Sequence, residues 1–410
     1  MPRKTSLILV GAAAAAALGF LTTADPAVAA SKEKVLYSFK DNGTDGRLPL
    51  AGLISDAAGN LYGTTGEGGV SNMGTVFELE RGTWAEKVLY SFAGGTDGES
   101  PAAVLIFDSA GNLYGTTELG GAYGAYGTVF ELAPGTGGRW TETVLHSFGK
   151  GKDGQAPEAS LIFDAAGNLY GTTYGGGAHA DGTVFALTPG TNGKWTEKVL
   201  HSFDFWDGET PVASLVFDAA GNLYGTTSSG NRLGTAFQLA PSADGKWTAR
   251  VLVSEIGAPC APLIFDSAGN LYGTSSGGAR YPVGDAFQLT PGAGGTWTEK
   301  VIHGFDGYSG GHPQGGLIFD TAGNLYGTTT DGGTGKPNAG VVFELSPGAD
   351  GTWVETVLHR FQRNGKDGAN PYGELVRDAA GNLYGTTLQG GSPGSGCNGN
   401  GCGTVFEITQ

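Results

Sequence analysis

Two histidines lie where the sequence departs from its own internal repeat, and they are the first candidates for chemistry. His179 and His312 stand in stretches that differ from one repeat unit to the next. Because an imidazole exchanges its proton near neutral pH, His179 could act as a general acid or base. A polysaccharide lyase also needs a proton donor and a cation that holds a carboxylate. The candidates for those roles are Tyr174, Tyr281, Arg232 and Arg280. A carbohydrate-active enzyme, either a lyase or a hydrolase, is therefore one hypothesis.

Aromatic and cationic side chains in the same variable stretches favour a second hypothesis, the binding of a sugar without catalysis. Aromatic rings stack on the apolar faces of sugars, while arginine and amide groups form hydrogen bonds with hydroxyls. The candidate ligand-binding residues are Tyr123, Tyr126, Tyr174, His179, Trp206, Arg232, Arg280, Tyr281, Tyr308, His312 and Tyr372. A glycan or cell-surface polymer is the ligand that this set favours. A scaffold that binds another protein remains a third possibility.

Residues that recur in every unit are expected to serve the fold. Seven aspartates are predicted to cap a hairpin turn, namely Asp56, Asp108, Asp164, Asp218, Asp266, Asp320 and Asp378. Four histidines share one position of a predicted outer strand, where we expect surface residues and no metal cluster: His146, His201, His303 and His359. The sequence shows no Ser/His/Asp arrangement, no paired metal ligands and no phosphate-binding loop, and it identifies no cofactor.

A repeated unit must position all these residues. The sequence Gly-Asn-Leu-Tyr-Gly begins at Gly59, Gly111, Gly167, Gly221, Gly269, Gly323 and Gly381. Each copy follows a short apolar run and a turn containing Asp and Gly, which is typical of a β-hairpin. A third strand (Gly-Thr-Val-Phe-Glu-Leu) and a fourth (Trp-Thr-Glu-Lys-Val-Leu-His-Ser-Phe) follow in most units. Four short strands in each period of roughly 50 residues indicate the blade of a β-propeller.

The two ends of the repeat array predict a closed ring. Residues 34–39 match the fourth strand of a unit, whereas residues 404–408 match a third strand. The N-terminal strand can therefore complete the last blade, which removes the exposed sheet edges that promote aggregation. We expect an all-β fold over residues 31–410, a single seven-bladed propeller with four antiparallel strands in each blade.

The variable segments are predicted to share one face of this ring. In a propeller, the loop between the second and third strands and the connection to the next blade emerge at the same end of the channel. The connection usually carries Asp-Gly followed by Pro, but residues 255–262 lack the Asp-Gly pair. One wall of the ring should therefore be irregular. An off-centre pocket could form there, and a neutral local deletion explains the missing pair equally well.

The N-terminus predicts export. Arg3 and Lys4 precede an apolar stretch from Leu7 to Leu21, and either Ala27-Val28-Ala29 or Val28-Ala29-Ala30 offers a cleavage site. Residues 1–30 therefore have the layout of a signal peptide. A retained transmembrane anchor is the alternative, which the short apolar run disfavours. We expect a periplasmic or extracellular protein without a membrane span after signal cleavage. The net charge of −16 opposes nucleic acid and anionic membranes as partners, and we expect a monomer.

Three cysteines have separate interpretations. Cys397 and Cys402 flank Asn-Gly-Asn-Gly in the longest loop of the last unit, where a disulfide would restrain a flexible loop. A metal site is the alternative, although two thiols supply too few ligands. Cys260 is expected to be a small buried side chain.

The units resemble a known repeat. Gly-Asn-Leu-Tyr-Gly-Thr-Thr, the Gly-Gly loop and Gly-Thr-Val-Phe-Glu-Leu are similar to the GloVer-type (Gloeo/Verruco) tandem repeat of exported bacterial proteins, over nearly the whole mature chain. The resemblance implies a secreted or surface-associated β-propeller, and it brings no established reaction and no catalytic residues. Members of that family often carry a C-terminal anchor, from which this chain departs. The block Phe-Asp-x-x-Gly-Asn-Leu-Tyr is also similar to NHL and gluconolactonase-like propellers.

Overall fold

Seven four-stranded antiparallel sheets follow one another along the chain and form a β-propeller. The computed structural model describes residues 31–230, 233–278, 280–333, 338–392, 397 and 399–410, all of which belong to one unit, Ser31–Gln410. In every sheet the strands are hydrogen-bonded in the order first, second, third, fourth. The predicted fold class is confirmed. The predicted signal peptide and the candidate site residue Arg232 lie outside the described residues.

The blades are numbered 1 to 7 in chain order, with the first strand innermost and the fourth outermost. The strands of blades 1 to 3 are Ile54–Ser55, Leu61–Thr65, Thr75–Leu79 and Glu86–Ser91; Ile106–Phe107, Leu113–Thr117, Thr128–Pro134 and Trp140–Ser147; Ile162–Phe163, Leu169–Thr173, Thr183–Pro189 and Trp195–Ser202. Those of blades 4 and 5 are Val216–Phe217, Leu223–Thr227, Thr235–Pro241 and Trp247–Ser254; Ile264–Phe265, Leu271–Ser275, Asp285–Pro291 and Trp297–Gly304. Those of blades 6 and 7 are Ile318–Phe319, Leu325–Thr329, Val341–Pro347 and Trp353–Arg360; Val376–Arg377, Leu383–Gly390, Thr404–Thr409 and Lys32–Ser38.

The repeated hairpin is held by its aspartate. In blade 3, Asp164 Oδ1 accepts hydrogen bonds from the backbone N–H groups of Ala166 and Asn168, each at 2.9 Å. Its Oδ2 accepts from Asn168 Nδ2 at 2.7 Å and from the hydroxyl of Tyr170 at 3.1 Å. The recurrence of Asp, Asn and Tyr at this spacing is thereby explained, because each supplies one part of the same turn. The prediction that these aspartates are turn caps is confirmed.

Seven clusters of buried apolar side chains each join two neighbouring blades. Phe203, which follows the outer strand of blade 3, stands edge-on to Phe237 of blade 4 with ring centroids 5.0 Å apart. The same pair occurs at five further junctions. Threonine hydroxyls of the second strand add polar links between blades, such as Thr172 Oγ1 donating to the carbonyl of Ala213 at 3.2 Å. Stability is therefore concentrated between the blades.

The N-terminal strand closes the ring. Lys32–Ser38 pairs with Thr404–Thr409 as the fourth strand of blade 7, with Lys32 opposite Thr409 and Ser38 opposite Thr404. Phe39 follows this strand and is almost fully buried, with its ring centroid 5.1 Å from that of Phe77 in blade 1. One strand thus completes blade 7 and links it to blade 1, as predicted.

The variable loops and the blade connections pair with each other at one end of the ring, here called the loop face. Gly154–Gln155 of a connection pairs with Gly175–Gly176 of the adjoining loop, and single bridges such as Glu209 to Ser229 do the same elsewhere. The predicted disulfide is present in the last of these loops, between Cys397 and Cys402. Within the described residues we find no helix of the length and apolarity that a bilayer crossing requires.

Candidate functional site

Exposed aromatic side chains are confined to the loop face. Among the described residues, seven aromatic side chains are exposed, and all lie in its loops and connections or at the mouth of the channel: Tyr123, Tyr126, Tyr174, Phe205, Trp206, Tyr308 and Tyr372. Trp206 and Tyr308 are the most exposed, at 73% and 71%. Such side chains bury their rings when they can, so a cluster of them on one face indicates a binding surface.

Five of these aromatics come from one sector of the ring. Tyr123 and Tyr126 lie in the loop of blade 2, Tyr174 in the loop of blade 3, and Phe205 and Trp206 in the connection from blade 3 to blade 4. We call these five residues the aromatic sector. The rings of Phe205 and Trp206 meet edge to face at 5.6 Å. Trp206 was predicted from the sequence, whereas Phe205 was not, although the pair interrupts a connection otherwise rich in Gly and Asp.

A groove opens beside Tyr123, between the outer strands of blades 2 and 3. Its volume is about 670 Å³, and its rim carries Tyr123, Lys150 and Lys152. The Nζ atom of Lys150 lies 5.6 Å from the centroid of the Tyr123 ring, within the range of a cation–π contact. The ring of Tyr126 packs against Gly149, where a Cβ atom would come within 2.2 Å of it. Tyr126 therefore holds its own loop in place, whereas Tyr123 is free to stack on a ligand.

The floor of the groove is a polar cluster. His146 Nε2 lies 2.9 Å from Asp153 Oδ2, and Glu197 of blade 3 also lines the groove. Burial, aided by Asp153 and opposed by His146, raises the pKa of Glu197 to about 7. The glutamate is therefore poised to carry a proton near neutral pH.

Similar clusters recur around the ring, so this floor has a structural role. At four other junctions the outer-strand residue pairs with an aspartate: Tyr37 with Asp45, Tyr90 with Asp97, His201 with Asp207 and His359 with Asp367. At the fifth, His303 lies 3.2 Å from Glu355. The four outer-strand histidines, predicted to be surface residues, are only partly exposed, because 18–19% of each side chain meets solvent. Their carboxylate partners come from a connection or from the next blade, which strand periodicity does not reveal.

The junction between blades 4 and 5 is irregular, as predicted. Ile256 stands where other junctions have phenylalanine, and the hydroxyl of Thr226 is buried without a hydrogen-bond partner. A cavity of about 370 Å³ opens there and is lined by Arg280, Tyr281 and Asp285, among others. Arg280 lies over the ring of Tyr281, 5.5 Å from its centroid. Burial raises the pKa of Asp285 to about 6.

The pocket at the centre of the ring is small, with a volume of about 90 Å³. Residues from all seven blades line it, among them Leu50, Ala102, Glu158, Val212, Cys260, Gln314 and Tyr372. Burial, aided by Glu118, raises the pKa of Glu158 to about 7. Glu374 still meets solvent in the channel but is surrounded by protein, and this burial raises its pKa to about 7. Cys260, predicted to be buried, is half-buried in this wall.

A comparison with known families shows to which family the chain belongs. A family model described as the Gloeobacter/Verrucomicrobia repeat matches residues 17–237 and 229–410. The chain belongs to this repeat family. The resemblance inferred from the Gly-Asn-Leu-Tyr-Gly units is therefore confirmed, and no curated protein matches this repeat protein.

Solved structures resemble the repeat protein in fold. A proposed 6-phosphogluconolactonase from Bacteroides uniformis is 16% identical with a TM-score of 0.51, covering 83% of this chain and 89% of that one. A proposed oxidoreductase (glucose dehydrogenase) from Thermus thermophilus is 17% identical with a TM-score of 0.47, covering 92% of this chain and 100% of that one. A proposed 6-phosphogluconolactonase from Bacteroides fragilis is 16% identical with a TM-score of 0.49, covering 82% and 87%. At these identities the likeness describes the propeller alone.

The residues proposed for a lyase come from different blades, and Arg232 among them lies outside the described residues. His179 is exposed in the loop of blade 3, and no hydrogen bond or ion pair among the described residues links it to Arg280 or Tyr281 of blade 5. The ring of Tyr281 instead packs on Gly304, where a Cβ atom would come within 2.1 Å of it. His312 pairs with Asp331 at 3.0 Å.

Proposed function

We propose that this repeat protein is an exported glycan-binding β-propeller and that the aromatic sector, with the groove beside it, holds the polysaccharide. The observation that carries the proposal is the confinement of exposed aromatic side chains to the loop face, five of the seven in one sector. The exposed apolar surface of Trp206 is unfavourable in water. A sugar ring stacked on it would remove that surface from water and so gain free energy.

The groove has the dimensions and the polar groups that a glycan requires. Its volume of about 670 Å³ lies within the range typical of ligand pockets. Tyr123 offers a stacking face at the rim, and hydroxyl groups of a sugar can form hydrogen bonds with the ammonium groups of Lys150 and Lys152. Sugar recognition combines apolar stacking with a few placed polar groups, and this groove supplies both.

The charge at the rim favours an acidic glycan. The chain has a net charge of −16, yet Lys150 and Lys152 stand together and exposed beside Tyr123. A carboxylate or sulfate group of the polymer would form charge-assisted hydrogen bonds with these ammonium groups. Binding should therefore weaken as salt is added, because exposed charges are screened.

Loss of a stacking ring tests the proposal. We expect Tyr123→Ala and Trp206→Ala each to lower the affinity for an acidic polysaccharide at least about tenfold, equivalent to about 1.4 kcal/mol. Tyr308→Ala removes a ring of similar exposure from the connection between blades 5 and 6, so it is the matched control and should bind normally. Affinity electrophoresis over a panel of acidic and neutral polysaccharides measures the effect, with melting temperature as the folding check.

Two results would contradict the proposal. Unchanged retention of the polymer by both Tyr123→Ala and Trp206→Ala would exclude the aromatic sector as the site. New ultraviolet absorbance from unsaturated sugar ends, appearing during the same assay, would replace simple binding with lyase activity and make His179→Ala the next variant.

A further inference from the structure

Three metal-ligating side chains converge where the N-terminal strand closes the ring. Glu33 lies on that strand, His359 lies on the outer strand of blade 6, and Asp367 lies in the connection to blade 7. Among the described residues, these three form a group whose ligand atoms all lie within 4.8 Å of one another. Ligands of a zinc ion lie about 2.0–2.2 Å from the metal, so small side-chain adjustments would bring the three atoms into coordination.

Hydrogen bonds fix the orientation of two of the three side chains. Asp367 Oδ1 accepts a hydrogen bond from its neighbour Gly368 N at 2.7 Å, and Oδ2 accepts from Gln362 N at 2.8 Å. His359 Nε2 faces both carboxylate oxygens, at 3.4 and 3.2 Å. Such outer hydrogen bonds orient metal ligands before the ion arrives. The imidazole and the carboxylate therefore already point at a common space.

Glu33 supplies the third ligand. Its Oε1 atom is buried and makes no hydrogen bond, like the same atom of the equivalent glutamates in blades 1, 2, 3 and 6. Its backbone position is fixed, because Glu33 pairs with Ile408 in the sheet of blade 7. A buried carboxylate oxygen without a donor is costly unless a proton or a cation satisfies it.

Some other blade junctions carry a different residue at the position of Glu33 or of His359. Two of them place tyrosine at the position of His359, with Tyr37 donating to Asp45 and Tyr90 donating to Asp97. A phenol satisfies the aspartate by a hydrogen bond and offers no nitrogen ligand. The junction of His201 with Asp207 keeps the imidazole but has Ala249 at the position of the glutamate. The junction of blades 2 and 3 has the same three residue types, as Glu197, His146 and Asp153. Among the described residues, however, only the set at the ring closure has its three ligand atoms within 4.8 Å of one another.

We propose that Glu33, His359 and Asp367 bind a divalent cation of the zinc class, which ties the closing strand to blade 6. One imidazole and two carboxylates suit zinc, and three protein ligands leave a further position for water. The two carboxylates balance the charge of the ion. A cation bound here stabilises the closed ring, because its ligands come together only when the N-terminal strand is in place.

Zinc titration of the untagged, chelator-treated protein, in the form its expression host secretes, tests the site. We expect one zinc ion per chain and a higher melting temperature when zinc is present. His359→Tyr copies the natural tyrosine junctions, so it should keep the hydrogen bond to Asp367 and lower zinc affinity more than about tenfold. Glu33→Gln should lower it similarly without removing side-chain volume.

His201→Tyr is the matched control, because it makes the same exchange where the glutamate is missing. It should bind zinc as the unmodified protein does. The proposal is overturned if the protein binds no zinc, if His359→Tyr and Glu33→Gln bind it normally, or if His201→Tyr loses binding to the same degree. Circular dichroism of each variant shows whether it has folded, and a folded variant is required before its affinity is compared.

Discussion

Deletion of residues 31–39 is expected to prevent cooperative folding of the propeller. The deletion removes the fourth strand of blade 7, which pairs from Lys32 to Ser38 along Thr404–Thr409. It also removes Phe39, whose ring packs on Phe77 of blade 1. Loss of one such phenylalanine alone costs about 3–5 kcal/mol, and native proteins have only about 5–15 kcal/mol in total. Thermal unfolding followed by circular dichroism should show no sharp transition.

A permuted chain separates loss of the strand from a general effect of truncation. Residues 31–39, moved behind Gln410 through a short turn, can return to the same position beside Thr404–Thr409. We expect this variant to unfold cooperatively, with a melting temperature near that of the unmodified protein. An unaltered melting temperature after simple deletion would show that the ring does not depend on this closure.

Stability is expected to fall as the pH rises from mildly acidic to alkaline. Burial raises the pKa of six glutamates to about 7, or about 8 for Glu142: Glu33, Glu86, Glu142, Glu158, Glu197 and Glu374. The folded protein therefore holds protons that the unfolded chain, with a pKa near 4.5, has released. The resulting stabilisation is complete below pH 4.5 and is lost as the pH passes through 7 to 8. We expect a melting temperature at least about 5 °C lower at pH 9 than at pH 5.

Glu142 is the residue with which to test whether buried glutamates cause this pH dependence of stability. Its Oε1 atom is buried without a hydrogen bond, and the nearby carboxylate of Asp97 adds to the effect of burial on its pKa. Glu142→Gln keeps the shape of the neutral acid, so it should raise the melting temperature at pH 9 and flatten the pH profile. Glu80→Gln, at an exposed turn, is the control and should leave the profile unchanged. A profile that rises towards pH 9 would contradict the explanation.

The sequence predicted the propeller because each blade repeats its local chemistry. Asp164, Asn168 and Tyr170 lie within one turn and the following strand, so their joint function follows from their spacing. Ring closure was also predictable, since a fourth strand precedes the first blade and blade 7 otherwise ends at its third strand. These features depend on neighbours in sequence or on the exact copy of a repeated segment.

Contacts between side chains of neighbouring blades could not be predicted from spacing within the repeat. Glu197 meets His146 across a junction, although a whole blade separates them in the sequence. The outer-strand histidines were therefore expected at the surface. The channel glutamates could have been found by aligning the residues after each repeated proline, because Glu158 and Glu374 replace uncharged residues there. Lys150 and Lys152 were missed because a lysine pair in a connection is common on any surface.

Hydrogen–deuterium exchange of the full protein, with and without the acidic polysaccharide it retains best, tests the central claim most directly. If the aromatic sector binds the polymer, amides in residues 118–127, 148–155 and 203–209 should exchange more slowly in the complex, while the hairpins at the opposite face do not change. Protection confined to residues 278–285 at the irregular junction, or to the hairpin face, would contradict the assignment of the glycan to the aromatic sector.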